Sequence, residues 1–266
     1  MKTKYPLSIS SASIQCILLA ISFFLLLLPG RLHAQDPASL IEEGRALERK
    51  FKEDEALEKY KQAYSIQPTN LLAAVKCAEL SGNMGRRANG SIRINAWMAQ
   101  ALSFAEAAYR IDSSSAEAMA AMAQAQRNLA ETEEKRDKAT QYLKSWKTWA
   151  DKALQADSMH GRANHLLGRW HLEVLTQGTL RKAAAKLLYG GLPNADIYTA
   201  IDLMERCKQV EPYYCANFLD LAKAYHFNQN YEKAIQTLER LAKLPTRRQD
   251  DVDIKAEGKE LLQKLQ

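Results

Sequence analysis

The stretch Ala234-Ile-Gln-Thr-Leu238-Glu-Arg-Leu241 decides how this chain is read. Its small or apolar residues stand at i, i+4 and i+7, so all three share one face of a helix. The same spacing occurs four more times. It appears in Ala56-Leu-Glu-Lys-Tyr60-Lys-Gln-Ala63 and in Ala101-Leu-Ser-Phe-Ala105-Glu-Ala-Ala108. It returns in Trp146-Lys-Thr-Trp-Ala150-Asp-Lys-Ala153 and in Ala200-Ile-Asp-Leu-Met204-Glu-Arg-Cys207. Each run leads to a residue that suits the loop before a new helix: Pro68, Ser113, Ser158, Pro212 or Thr246. Proline has no amide to donate, and serine can cap the helix that follows.

Those five endings are 45, 45, 54 and 34 residues apart. A 34-residue period with this pattern resembles the tetratricopeptide repeat, a pair of helices that stacks into a solenoid. The unit from Cys215 to Arg248 fits best, with Phe218, Leu221, Ala222, Tyr225, Ala234, Leu238 and Leu241 at the repeat positions. The first unit starts at Pro37 and carries Leu40, Gly44, Leu47, Ala56, Tyr60, Ala63 and Pro68. The longer units imply insertions. Three glycines between Gly82 and Gly90 predict a loop. Asn128–Lys138 predicts a solvated helical extension. Leu180–Leu188 predicts an extra short helix, with a break at Gly190-Gly191-Leu192-Pro193 before the helix that ends at Val210. The tail from Asp251 to Gln266 alternates charges with Val252, Ile254, Leu261, Leu262 and Leu265. It predicts a helix capping the exposed end of the stack.

Composition agrees. Eleven glycines and seven prolines in 266 residues are too few for the turns of a β-sandwich or barrel. The expected fold is therefore all-α. Hydrophobic residues at 47% and charged residues at 26% exclude a disordered chain and a polytopic membrane protein. The formal charge of +6 owes half its value to Lys2, Lys4 and Arg31. Without residues 1–34 it falls to +3, which predicts no nucleic-acid partner.

Residues 1–34 read as an address. Two lysines precede an apolar run, Ile17 to Leu28, of 12 residues. A bilayer-spanning helix needs about 20, whereas 12 suit the core of a secretory signal peptide. Cleavage is expected between Ala34 and Gln35, leaving a repeat domain over 35–266 in the periplasm or secreted. The alternative is an uncleaved anchor, the one route to membrane contact. In an oxidising compartment Cys77, Cys207 and Cys215 include at least one unpaired thiol. The ordinary reading is three small core residues; a Cys207–Cys215 disulfide is the alternative.

From Ala153 to Leu265 the resemblance narrows. His165-Leu-Leu-Gly168-Arg-Trp170, Gly191-Leu192-Pro193, Ala200-Ile201, Asn217, Leu221-Ala222-Lys223, Leu244-Pro245 and Asp250-Asp251 follow one another in an order similar to the regulator-of-microtubule-dynamics family. That resemblance implies an all-helical repeat fold without a catalytic centre. It also implies association with microtubules or organelle membranes, and lipid binding in some members. An exported chain would meet no microtubule, so the fold is expected to carry over and the cytoskeletal role is not.

No His-Glu-x-x-His, Cys-x-x-Cys, phosphate loop or nucleophile elbow occurs, so no metal, cofactor or enzymatic activity is expected. His165, His171 and all four tryptophans read as packing residues. A solenoid of helix pairs presents a concave groove lined by the first helix of each pair. The inward positions predicted for partner binding are Ile41, Arg45 and Arg49, beside Glu48, in the first unit. In the last they are Leu219, Lys223, His226 and Phe227. Apolar residues beside cations suit an extended peptide or an amphipathic helix. The asparagines that complete the Lys/Asn carboxylate clamp of chaperone-binding repeats are missing. A lipid or small apolar ligand near Gly190–Pro193 is the alternative, and it requires a closed apolar cavity above about 300 Å³.

Overall fold

A computed structural model of the protein describes residues 36–176 and 191–266. The expected signal peptide and the expected short helix at 180–188 lie outside the described residues. The described helices form one unit, Pro37–Gln266. They are α1 (Pro37–Glu48), α2 (Glu53–Ile66), α3 (Leu71–Arg87), α4 (Ser91–Ile111), α5 (Ala116–Thr132) and α6 (Arg136–Ala156). Then follow α7 (Gly161–Thr176), α8 (Ile197–Val210), α9 (Cys215–Phe227), α10 (Tyr231–Lys243) and α11 (Asp251–Leu265). Each packs on the next. The protein is an all-α stack of helix pairs.

The five repeated runs lie on α2, α4, α6, α8 and α10. Every residue at their i, i+4 and i+7 positions is buried, from Ala56, Tyr60 and Ala63 to Ala234, Leu238 and Leu241. Burying one leucine side chain contributes about 1.5–3 kcal/mol, so these faces hold the pairs together. Four of the connections are the same four-residue turn. Asn70, Ser115, His160 and Tyr214 each donate their amide to the carbonyl three residues back, at 2.9–3.3 Å. Pro68, Ser113, Ser158 and Pro212 stand second in these turns, where proline's fixed φ is favoured. The next helix is capped by Asn70 Oδ1 at Ala73 N (3.0 Å), by Ser115 Oγ at Ala118 N (3.3 Å), or by His160 Nδ1 at Ala163 N (3.1 Å).

The expected loop around Gly82–Gly90 is corrected. Gly82 and Gly85 lie inside α3 and are buried. A Cβ on Gly82 would stand 2.4 Å from Asn128 Nδ2, and one on Gly85 2.7 Å from Met98 Cε. These glycines admit neighbouring helices. The turn is confined to Ala88–Gly90, where Gly90 adopts φ 87°. The extra residues of the second and third units lengthen helices: α4 and α6 have 21 residues each. The expected extension at Asn128–Lys138 is helical up to Thr132 and again from Arg136, but Asn128 is buried. The break before Ile197 is present over residues 191–196.

Gly168 serves close packing between α7 and α8. A Cβ there would approach Met204 Cγ at 2.8 Å and the Ala200 carbonyl oxygen at 3.0 Å. Glycine to alanine within a helix ordinarily gains up to about 1 kcal/mol. Gly168→Ala is expected to reverse that sign and lose about 1–3 kcal/mol, because backbone on the facing helix cannot rotate away. Urea unfolding checks this; a midpoint at or above that of the parent would show that the two helices separate freely.

α11 covers the last pair with Ile254, Leu261, Leu262 and Leu265 against Phe218, Leu238 and Leu241. Val252, expected on that face, is exposed because it stands on the opposite side of the helix. Cys77, Cys207 and Cys215 are free and buried. Burial pushes the Cys77 and Cys215 thiols up to about 12. The disulfide alternative is thus not what the structure holds.

Candidate functional site

The first helices of the pairs also touch one another: α3 meets α5, α5 meets α7, α7 meets α9, and α9 meets α11. The stack therefore curves toward them. Their inner faces keep one register. Counting from each helix start, the same position holds Arg45, Glu79, Gln124, Arg169 and Lys223. The position four residues earlier holds Ile41, Val75, Ala120, His165 and Leu219. Extending that register through the middle units would have found Glu79, Gln124, His165 and Arg169, which inspection of the outer units alone missed.

The structure divides the predicted partner-binding residues. Leu219 and Lys223 line a cavity of about 450 Å³ on the concave side. Lys223, His226 and Phe227 border a second hollow of about 540 Å³ beside Arg169 and Tyr231. Ile41 is buried in the core of the first pair. Arg45 pairs with Glu42 at 2.6 Å, Arg49 is exposed, and neither lines these hollows.

The first of these cavities, of about 450 Å³, is walled by charge. Asp220 on α9 is buried and accepts hydrogen bonds from His165 Nε2 (2.8 Å) and Arg169 Nη1 (2.8 and 2.9 Å). Glu79 on α3 accepts from Arg162 on α7 (2.9 Å) and from Arg248 (2.8 Å), and pairs with Lys76 (3.1 Å). The Lys76, Arg162 and Arg248 cations hold the Glu79 carboxyl well below the usual range against its burial. Arg169 does the same for Asp220. Arg127 bonds Glu131 at 2.7 Å. Burial and the neighbouring Arg169 and Arg86 push the Arg127 guanidinium down.

The cavity is closed at one side by the turn between α10 and α11. Arg86 and Arg87, at the end of α3, both donate to the Asp250 carboxylate, Arg86 at 2.9 Å. Arg248 reaches Glu79 from the same turn. Asp251 Oδ2 holds the turn in shape by accepting from the amides of Arg247 (2.8 Å) and Arg248 (2.9 Å). No register exposes this closure, because the turn differs from the other four and its partners are 163–169 residues away.

Burial lowers the affinity of His165 and His171 for protons. His165 is then neutral, with its proton on Nε2 toward Asp220, and His171 Nδ1 accepts from the Asp196 amide at 3.0 Å. The unfolded chain takes up protons near pH 6.5 that the folded chain refuses, so stability present above about 6.5 declines below it. A second decline is expected below about pH 4, as the depressed carboxylates Glu79, Glu131 and Asp220 are forced to protonate. Urea midpoints across pH 8 to 3 should show both steps, and His165→Gln should shrink the upper one. A flat profile between about pH 8 and 5 would contradict the buried neutral histidines.

Among the described residues no cluster of three or more His, Cys, Asp or Glu could hold a metal ion. Among them, no helix is long and apolar enough to cross a membrane. The fold and the inward-facing register define a tetratricopeptide-like helical repeat protein. The chain belongs to the regulator of microtubule dynamics protein 1–3 family, whose profile matches residues 40–266. That match takes in the first half, which residue order alone resembles only loosely. Tetratricopeptide-repeat and regulator-of-microtubule-dynamics proteins are generally non-catalytic scaffolds. No individually curated protein matches this sequence. Among solved structures, a thermophilic tetratricopeptide-repeat protein of Thermus thermophilus superposes with TM-score 0.62 at 14% identity. That superposition covers 85% of this chain and 99% of that one. YrrB, described as a tetratricopeptide-repeat protein with an unusual peptide-binding site, gives TM-score 0.37 at 14% identity over 86% and 91%. MamA gives 0.40 at 14% over 82% and 96%. At 14% identity the likeness to the Thermus protein speaks for the fold alone, and the two weaker superpositions carry no argument.

Proposed function

We propose that the protein is a non-catalytic scaffold that binds a protein or peptide partner in its concave face. The observation that carries this reading is the mixed-charge cavity of about 450 Å³ bounded by α3, α5, α7, α9 and α11. Its size falls in the range of about 300–1,000 Å³ typical of ligand sites. Its paired guanidinium and carboxylate groups suit a polar main chain with charged side chains. A lipid tail would need an apolar cavity of comparable size. The hollow beside Val75, Ala78, Ala121 and Leu166 measures about 40 Å³, and the hollow of about 800 Å³ beside Ile201, Phe218 and Tyr225 is also lined by Asp202, Glu205, Lys208 and Arg240.

A photo-crosslinking residue at Gln124 tests the reading, with one at the exposed Arg110 on α4 as the convex control. One defined partner is expected from Gln124 and none from Arg110. Equal capture from both faces would refute it. We further propose that residues 1–34 direct export, on the strength of their lysines and apolar run. Intact mass and fractionation of the native protein decide this. Loss of residues 1–34 supports export, and an intact terminus on a membrane refutes it.

A further inference from the structure

We propose that Asp250 is the built-in occupant of a carboxylate receptor formed by Arg86 and Arg87, and that an acidic peptide segment of the partner displaces it. The proposal rests on the peptide-binding reading above and adds the class of ligand and the way the site is gated.

The receptor is a fork. Two guanidinium groups at the end of α3 grip one carboxylate, Arg86 at Oδ2 and Arg87 at Oδ1. Both are held in place without Asp250. Arg86 donates to Asn83 Oδ1 at 2.7 Å, and Arg87 to Glu53 Oε2 at 2.7 Å. Glu53 is itself buried and fixed by Asn83 Nδ2 at 3.1 Å. The fork therefore keeps its shape when its occupant leaves, which is what a preorganised binding site requires.

The occupant is separately built. Asp250 belongs to a turn braced by Asp251 and by ring contacts, Arg247 over Tyr213 at 3.9 Å and Arg248 over Tyr214 at 5.2 Å. Its side chain caps no helix amide. Its bonds to α3 are partly solvent-exposed ion pairs, which contribute little net stability and weaken with salt. Tethering gives Asp250 a high effective concentration at the fork, so a free carboxylate competes at a disadvantage that a multivalent acidic segment overcomes. Once Asp250 leaves, the four guanidinium groups of Arg86, Arg87, Arg127 and Arg169 face the three carboxylates of Glu53, Glu131 and Asp220. That end of the cavity is then cationic.

The test uses the full-length chain and a fluorescein-labelled peptide of six glutamates, read by anisotropy, with six glutamines as the control. Asp250→Ala is expected to bind the acidic peptide about tenfold more tightly than the parent. Adding Arg86→Gln should cancel the gain. Arg248→Ala, which frees the turn from Glu79 and leaves the fork intact, should give a smaller gain. Circular dichroism confirms that each variant is folded. Equal or weaker binding by Asp250→Ala overturns the proposal. So does the absence of peptide binding in every variant, even where the Gln124 crosslink shows that a partner enters the cavity. Asp250→Ala that binds phosphatidylserine vesicles and not the peptide overturns it in favour of a membrane surface. Conversely, peptide binding as expected with no Gln124 crosslink would count against the scaffold reading alone.

Discussion

Asp220→Ala is expected to lower the unfolding free energy by about 3–5 kcal/mol. A typical domain has about 5–15 kcal/mol in total. Asp220 is buried on α9 and serves two donors on α7, His165 and Arg169. Alanine would leave a guanidinium and an imidazole N–H facing each other across the α7–α9 contact. Arg169 keeps Glu131, at 3.3 Å, and the more distant Glu173. The cost thus comes from an orphaned charge more than from a lost bond. The double variant Asp220→Leu with Arg169→Met, which removes both charges, should cost less than Asp220→Ala alone. Urea unfolding followed by circular dichroism measures both. A loss under about 1 kcal/mol for the single variant would mean that Arg169 swings out to water and the pair is peripheral.

The second large effect is expected at Trp146. The other repeats place alanine here, at Ala56, Ala101, Ala200 and Ala234, so Trp146→Ala writes the residue of its neighbours into the third unit. It is nevertheless expected to lose about 3–5 kcal/mol. Trp146 is fully buried and packs in one cluster with Met119, Leu143, Leu166 and Trp170. Among the described residues its indole N–H has no hydrogen-bond partner, so the expected loss is one of packing. Trp146→Phe should keep most of the stability. If Trp146→Ala costs less than about 1 kcal/mol, α6 collapses onto α5 as in the other pairs, and the tryptophan is no spacer.

Trp146 also marks the limit of reading by repeat. The pattern places it on the buried face, correctly, yet cannot say what fills the space it meets. Gly82 and Gly85 show the same limit from the other side. Clustered glycines read as a loop because turns need them. Here they lie within α3, where Asn128 and Met98 approach too closely for a Cβ. Sequence alone cannot separate these uses of glycine, since one depends on its own backbone and the other on a helix elsewhere. The inner register is an intermediate case. Arg45 and Lys223 were legible in the outer units, and Arg169 stands at the same position between them.

The all-α fold, the pairing of helices, the buried face of each second helix and the family are legible in the residues alone. These are local properties: a helical period and a turn residue act within about twenty positions, so they recur visibly along the chain. Tertiary structure alone decided that the concave face is closed. Arg86 and Arg87 meet Asp250 across 163–164 residues, and Arg248 meets Glu79 across 169. No local pattern encodes such contacts. They arise because small per-unit rotations of the stack add up, and the sum brings the last turn back to the second repeat.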